Sequence, residues 1–445
     1  MLARRARDPY DACTEDAMTG SVSRRDFARL FAVGGSAALF ADPVWAQQNA
    51  PAPAFAPTIS GTGEAFWKSV RAQFVMPADL GVLNAANLCP ASRPVLEALK
   101  RESDFVDRDP SGQNRARLNG EKENLRKTLA AFLRVTPEEI VITRNTSEAN
   151  NMVSSGLDLR QGDEVIVFHD NHPSNLTAWN EKAKRFGFSV VEIPQINPHP
   201  GMEYYVTAFR KSLTSKTKIL TFTHLTSTVG DLFPAKELCA MARENGVMSL
   251  VDGAQSFGLL DVNLTEIGPD FYTGSAHKWP CGARECGVLY INTRAQKNIW
   301  PSIYSAYTGA VGISRTFEGF GQRDEATMIA FREALDFQTK VGRAAIERRS
   351  RELANQLIAG LSKLPDVKVW TSPNPSLNAA VVSFLPGSLN SQKLGQALYE
   401  KDKIGTAGRG GQDRGGLRAS PHFYNTPEEV DRLVSAVGRY LKSGV

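Results

Sequence analysis

The segment MSLVDGA (residues 248–254) is an apolar run that leads into a carboxylate and a glycine, and six other apolar runs have a similar length. Most of the seven are apolar throughout rather than alternating, which is typical of strands buried on both faces of a sheet. Helix-length stretches separate them, so the sequence predicts an α/β fold with a seven-stranded, mostly parallel sheet. Only ten residues separate the last two runs, which predicts an antiparallel seventh strand. The remaining runs are 139–145, 164–169, 189–194, 218–224, 270–276 and 287–292.

The length of 445 residues, 42% of them hydrophobic, predicts one large domain and one smaller domain. We expect residues 86–322 to form the large domain. Residues 323–445, with long helices and a strand at 379–385, are expected to form a smaller α+β domain. Residues 47–62 are rich in Pro and Ala and predict a linker, and residues 63–85 are expected to pack near the small domain.

Residues 1–46 have the composition of an export signal. The pair Arg24-Arg25, closed by Phe27, is followed by a mild apolar segment at 30–41 and a small-residue cleavage site at 44–46. The apolar segment is shorter than the roughly 20 residues of a membrane span. The sequence therefore predicts passage through the twin-arginine export machinery to the periplasm or the medium, with no stable membrane span. The alternative is an amphipathic cytoplasmic tail, and Met18 is a second possible start.

The charges and cysteines exclude several classes of protein. The 52 basic and 47 acidic residues give a net charge of +5 and are mixed along the chain, which argues against nucleic-acid binding. After residue 46 the cysteines are Cys89, Cys239, Cys281 and Cys286, too few for a disulfide framework. The sequence leaves open whether Cys281 and Cys286 form a disulfide. No His cluster completes a metal site, so none is expected.

Polar side chains follow the apolar runs at the place where open α/β sheets bind ligands, outside the carboxyl ends of the strands. A phosphorylated pyridine aldehyde would need a lysine for the aldehyde, an anion for the ring nitrogen and donors for the phosphate. Residues of these kinds are all present. They are Thr146, Ser147, His172, Ser227, Asp252, Gln255, Ser275, His277 and Lys278.

Each of these residues also has an ordinary structural interpretation when it is taken alone. Lys278 is then a surface lysine, and Asp252 a turn residue before a glycine. Ser147 belongs to a helix start at which Asn145 and Glu148 would form a capping box. However, Asp252 and Lys278 are one strand–helix–strand step apart, which makes them neighbours in space. Taken together, these residues favour a ligand-binding site.

Five motifs resemble the class V aminotransferase family of pyridoxal-phosphate enzymes, which includes cysteine desulfurases and isopenicillin N epimerase. They are TRNTSEANN (143–151), DNHPSN (170–175), VDGAQ (251–255), GSAHKW (274–279) and LRASPHFYNTPEEVD (417–431). The resemblance implies the fold type I of pyridoxal 5'-phosphate (PLP) enzymes, PLP as cofactor and a homodimer. It also implies that Lys278 binds the aldehyde, Asp252 the ring nitrogen and Gln255 the ring hydroxyl, that His172 stacks on the ring, that Thr146, Ser147, Ser275 and His277 hold the phosphate, and that Arg418 and Ser227 bind substrate.

One departure bears on the reaction. Cysteine desulfurases carry a nucleophilic cysteine on a loop before the arginine signature, whereas the matching segment GTAGRGGQDRGG (405–416) has none. We expect that segment to be a flexible substrate lid and the protein not to be a typical desulfurase. The segment HLTS (224–227) is closer to the epimerase branch. FGQRDEAT (320–327) is a candidate for a stretch borrowed by a partner subunit, with no contact assigned.

Several functions stay open at this level. Epimerisation, transamination, elimination and decarboxylation of an amino acid or a peptidyl amino group share their first step. Export favours tailoring of a secreted peptide or siderophore. The alternatives are a catalytically inactive PLP-binding or scaffold protein, and a nucleotide-dependent oxidoreductase. The oxidoreductase requires a glycine-rich turn that the segment at 145–150 lacks.

Overall fold

The computed structural model describes residues 59–410 and 414–445, so the predicted export signal lies outside the described residues. Each strand of the central sheet lies within two residues of its predicted run. In chain order the strands are β1 Gly81–Val82, β2 Ile140–Thr143, β3 Glu164–Phe168, β4 Ser189–Ile193, β5 Thr217–Thr223, β6 Met248–Asp252, β7 Phe271–Ser275, β8 Gly287–Ile291, β9 Val367–Val369, β10 Val382–Pro386, β11 Ile404–Gly405, β12 Ala407–Arg409 and β13 Gly416–Ala419.

The helices cover the central sheet and form much of the remaining chain. They are α1 Gly63–Arg71, α2 Arg93–Arg108, α3 Gly112–Leu133, α4 Thr146–Gly156, α5 Pro173–Phe186, α6 Met202–Ser212, α7 Ala235–Glu244, α8 Leu264–Ile267, α9 Ser314–Phe317, α10 Glu325–Val341, α11 Arg343–Leu361, α12 Ser391–Asp402 and α13 Pro427–Ser443. In the part of the chain described here, no helix is both long and apolar enough to cross a membrane.

The central sheet has the strand order β2-β8-β7-β6-β5-β3-β4. Strands β7, β6, β5, β3 and β4 run parallel to one another, and β8 is antiparallel to both of its neighbours. The predicted seven-stranded, mostly parallel sheet with an antiparallel seventh strand is therefore confirmed. Every residue of the interior strands β6, β7 and β8 is buried except Met248, whereas the edge strand β4 exposes Ser189 and Glu192.

A second sheet of four antiparallel strands has the order β12-β13-β10-β9. Its strand β10 begins at Val382, three residues later than the predicted run at 379–385. The pairing with β13 ends at Ala419, because the next residue, Ser420, donates its N–H to the Leu83 carbonyl instead. The short strands β1 and β11 pair in parallel beside it. The predicted domain boundaries stay predictions.

A buried ion pair fixes the strand that leads into the predicted phosphate turn. Arg126 on α3 is fully buried, and its Nη2 donates to Glu318 Oε2 at 2.8 Å. Glu318 in turn accepts the backbone N–H of Ile142 at 2.6 Å, and Arg126 donates to the Ile140 carbonyl at 2.8 Å. The pair therefore binds the edge of β2 that faces away from β8.

Candidate active site

Five strands of the central sheet, β2, β3, β5, β6 and β7, end at one cavity of about 480 Å³. The structure brings all ten residues predicted from the sequence into its lining. They are Thr146, Ser147, His172, Ser227, Asp252, Gln255, Ser275, His277, Lys278 and Arg418. Nine of them lie at or after the ends of these five strands, and Arg418 lies on β13 of the second sheet.

Asp252 ends β6 and is completely buried. Its Oδ1 accepts the backbone N–H of Ala254 at 3.0 Å, and its Oδ2 accepts Nδ2 of Asn150 at 2.9 Å. A carboxylate has about four lone-pair sites, so acceptor capacity remains for a cation in the cavity. Gly253 is required next to it, since a Cβ at this position would overlap the ring of Tyr272.

Lys278 lies in the turn after β7, and burial lowers its pKa. The Asp252 carboxylate opposes that shift, and the nearby Arg409 adds to it. The turn itself is fixed one residue later, where the Trp279 carbonyl accepts hydrogen bonds from His422 at 2.8 Å and from Gln338 at 2.7 Å. Two other parts of the chain therefore hold the turn that carries the lysine.

The first turn of α4 forms one end of the cavity. Asn145 caps the helix by accepting the N–H of Glu148 at 3.0 Å, and Ser275 Oγ accepts the N–H of Thr146 at 2.8 Å. The capping box expected from Asn145 and Glu148 forms only by half, because the Glu148 carboxylate accepts the Arg144 N–H instead. Free N–H groups of a first helical turn attract anions.

Two histidines border the lysine. His172 caps α5 through its own ring, with Nδ1 accepting the Ser174 N–H at 3.2 Å. Although this ring is open to the cavity, the surrounding protein and Lys278 lower the pKa of His172. Burial and Lys278 also lower the pKa of His277, to about 4. Both rings are therefore neutral near pH 7.

The predicted ring-hydroxyl and substrate residues are fixed by other parts of the chain. Gln255 donates to the Ala86 carbonyl at 3.0 Å and accepts Nε1 of Trp279 at 2.8 Å. Arg418 is 3% exposed, and its Nη1 donates to the Ser227 carbonyl at 2.8 Å. Ser227 thus contributes its backbone oxygen to hold the arginine.

Sequence reasoning missed Asn150 and Arg409. Asn150 lies one helical turn after Thr146 on α4, a spacing that places it on the same helix face. Arg409 lies in the segment 405–416 that we expected to be a flexible lid. This expectation was wrong for residues 405, 407–409 and 416, which belong to strands β11, β12 and β13. Antiparallel pairing of β12 with β13 orders these residues despite their glycines.

The cysteines form no disulfide in the described residues, so Cys281 and Cys286 are free thiols. Both are buried, and burial raises the pKa of Cys286 to about 12. Burial also raises the pKa of Cys281 well above its usual value. In the described part of the chain, no cluster of His, Cys, Asp or Glu could hold a metal ion.

The cavity provides what PLP requires. Its lining includes a buried carboxylate for the pyridine nitrogen and a lysine of lowered pKa for the aldehyde. It also includes a helix N-terminus with hydroxyl groups for the phosphate. The carboxylate is expensive to bury without a cation, and a pyridinium is one.

Comparisons with known proteins agree with this fit. The pattern of the family described as aminotransferase class-V matches residues 92–433. The chain is 28% identical over 389 residues to isopenicillin N epimerase of Streptomyces clavuligerus, covering 83% of this chain and 97% of that protein. It is 26% identical to a probable cysteine desulfurase of Methanothermobacter thermautotrophicus, covering 82% and 96%.

Solved structures give the same result. The cystine C–S lyase C-DES, in complex with its product cysteine persulfide, is 27% identical with a TM-score of 0.74, covering 81% of this chain and 98% of that one. A C-DES variant with glycine covalently linked to its PLP cofactor is 25% identical with a TM-score of 0.75, covering 83% and 98%. The chain therefore belongs to the aminotransferase class-V family, has the fold type I of PLP enzymes, and is a PLP-dependent enzyme that is similar to isopenicillin N epimerase and to cysteine desulfurases.

Proposed function

We propose that the protein acts at the α-carbon of an amino acid or a peptidyl amino group, as an epimerase, aminotransferase or lyase that moves a proton at this carbon. The observation that carries the proposal is that Lys278 and Asp252 line one cavity together with Arg418. When bound, PLP supplies an acceptor for the electron pair left at the α-carbon.

Lys278 has two roles in this proposal. Its lowered pKa increases the share of neutral amine, which is the form that would bind the cofactor aldehyde through Nζ. With substrate in the cavity, the free Nζ would accept the α-proton and donate it again. Asp252 would hold the ring nitrogen in its protonated form, and its two protein donors fix the carboxylate for this purpose.

The other cofactor residues take roles along the length of PLP. Thr146, Ser147, Ser275 and His277 hold the phosphate at the α4 end. His172 would hold the face of the ring, and Gln255 would hold the ring hydroxyl. These assignments are supported by their shared cavity.

Arg418 binds the substrate α-carboxylate. A guanidinium can form two parallel hydrogen bonds with a carboxylate. In the described residues Arg418 donates to the Ser227 carbonyl and to Asn84 Oδ1, which leaves further N–H groups for substrate. The Ser227 carbonyl keeps the guanidinium in position.

We also propose that the protein is not a typical cysteine desulfurase. The chain has no cysteine after Cys286, and thus none in the segment 405–416. Cys281 and Cys286 are buried with raised pKa values, which is the opposite of a reactive thiolate.

The protein is proposed to be a homodimer. Large apolar side chains are exposed between residues 300 and 307: Trp300 is 67% exposed, Tyr304 74% and Tyr307 68%. Several exposed aromatic residues in one short segment are typical of an interaction surface. Light scattering of purified protein should give the mass of two chains, and a monomer at micromolar concentration would contradict this.

The location is proposed from the sequence alone. The Arg24-Arg25 pair supports export by the twin-arginine machinery, and therefore tailoring of a secreted peptide or siderophore in the periplasm. Arg24→Lys with Arg25→Lys should retain the protein in the cytoplasm on cell fractionation. An unchanged distribution would argue against this route.

The central experiment compares two lysines of lowered pKa. Lys278→Ala should lose turnover and the visible absorption band of the bound cofactor. Lys182→Ala, which changes a lysine on α5 outside the cavity, should keep both. Unchanged turnover in Lys278→Ala would refute the proposal, and formation of L-alanine from L-cysteine would refute its exclusion of desulfurase activity. A wild-type spectrum that no amino acid or peptide alters would favour the inactive alternative.

A further inference from the structure

A second arginine faces the cavity beside Arg418. In the antiparallel pair of β12 and β13, Ala407 lies opposite Arg418, and Arg409 is two residues further along β12. Side chains two residues apart in a strand point to the same face of the sheet. Arg409 and Arg418 are therefore diagonal neighbours on one face, and both line the cavity.

The two guanidinium groups share one acceptor. Nη2 of Arg409 donates to the Ser227 carbonyl at 2.9 Å, and Nη1 of Arg418 donates to the same oxygen at 2.8 Å. Arg418 has one further, long contact, from Nη2 to Asn84 Oδ1 at 3.4 Å. Each guanidinium carries five N–H donors. In the described residues Arg409 uses one of its donors and Arg418 two, so further N–H groups of both remain.

Arg409 also differs from the next arginine along the chain. Arg414 forms a salt bridge with Asp170 at 3.0 Å. Among the described residues, by contrast, no carboxylate lies within salt-bridge distance of Arg409. The Asp170 carboxylate acts on Arg409 from beyond that distance and already pairs with Arg414. A partly buried guanidinium without a directly bonded anion is costly, and ligands commonly provide one.

The cofactor and one α-carboxylate do not account for this charge. Among the described residues that line the cavity, Arg409 and Arg418 carry guanidinium groups, and Asp252 is the only carboxylate. The cofactor phosphate would be held at the first turn of α4, which is hydrogen-bonded to Ser275 at the end of β7, whereas Arg409 is hydrogen-bonded to Ser227 after β5, two strands away in the sheet. One substrate carboxylate accepts about four hydrogen bonds, fewer than two guanidinium groups can donate.

We infer that the substrate carries a second anionic group, and that Arg409 binds it while Arg418 binds the α-carboxylate. The substrate class is an amino acid whose side chain ends in a carboxylate. This inference rests on the proposed function. Arg409 is then a specificity-determining residue of the site.

The test measures binding to the PLP-loaded enzyme through the change in its visible absorption. The ligands are L-aspartate and L-glutamate with their amides L-asparagine and L-glutamine, each free and as the first residue of a dipeptide with alanine. A charged hydrogen-bonded pair contributes about 1.5–3 kcal/mol to binding. Of aspartate and glutamate, the one that binds more tightly to the wild type should therefore have a roughly 10- to 150-fold higher affinity than its amide.

Variants separate Arg409 from general charge effects. Arg409→Gln should bind acid and amide within a few-fold of each other, and Arg409→Lys should keep part of the preference. Arg134→Gln removes an arginine that pairs with Asp261 and does not line the cavity, so this variant should keep the full preference. Thermal unfolding should show that all three variants are folded.

Three results are decisive. Equal binding of acid and amide by the wild type would overturn the inference even if no variant folds. A preference that survives in Arg409→Gln would overturn it as well, and both results leave the proposed function intact. If none of these ligands changes the spectrum of the wild type, the inference fails; the proposed function fails with it only when no other amino acid or peptide changes the spectrum.

Discussion

Replacement of Asp252 by Asn separates the structural and electrostatic roles of this carboxylate. Both oxygens accept hydrogen bonds, from the N–H of Ala254 at 3.0 Å and from Nδ2 of Asn150 at 2.9 Å. In Asp252→Asn, the new NH₂ group must face one of these two donors. The variant keeps the shape of the side chain but places donor against donor at a fully buried position.

The expected magnitude has two parts. A buried donor without an acceptor costs about 1–3 kcal/mol, so the free energy of unfolding should fall by that amount. Loss of the charged partner of the ring nitrogen should cost a further 1.5–3 kcal/mol in the transition state, which corresponds to a roughly 10- to 150-fold lower rate.

A second substitution tests the reasoning. Asn150 accepts Oγ1–H of Thr273 at 3.1 Å, and a carboxylate at position 150 can accept the same bond. In the double variant Asp252→Asn with Asn150→Asp, the new amide at 252 can donate to the new carboxylate at 150. Stability should then recover, while turnover stays low because the charge has moved one side chain away from the ring nitrogen.

The assays are urea unfolding of the cofactor-free protein and the rate of substrate-dependent change in the cofactor spectrum. Recovery of both stability and turnover in the double variant would refute a specific role for the charge at position 252. Wild-type turnover in Asp252→Asn would refute the assignment of Asp252 to the ring nitrogen.

Two further predictions concern buried carboxyl groups. Burial raises the pKa of Asp231 to about 7 from 3.8, so its contribution to stability is complete below pH 4 and is lost as pH rises through 7. The stability gain of Asp231→Asn over the wild type should therefore grow between pH 4 and 8, to at most about 4 kcal/mol in urea unfolding, and a gain independent of pH would contradict this. Glu318→Gln breaks the buried pair with Arg126 and should cost about 3–5 kcal/mol, whereas the control Glu123→Gln, on a more exposed partner of the same arginine, should cost less. Equal losses in the two variants would contradict the importance of burial.

The strands and the polar residues at their ends could be predicted because both depend on local pattern. Continuous apolar runs such as MSLVDGA form strands buried on both faces, and parallel strands bring their carboxyl ends to one edge. Asp252 and Lys278 could therefore be placed in one site without coordinates. The lid expected from the glycines of 405–416 was partly wrong, because pairing with β13 orders the chain around Arg409.

The sequence by itself determined the order of the strands along the chain, the central sheet and the residue types that meet at its edge. Only the tertiary structure decided which partners those residues have: Asn150 on Asp252, His422 behind the Lys278 turn, and Ser227 between two arginines. The physical reason is separation along the chain. A hydrogen bond between side chains 102 residues apart leaves no periodic signal in either segment, because it depends on how helices and sheets pack against each other.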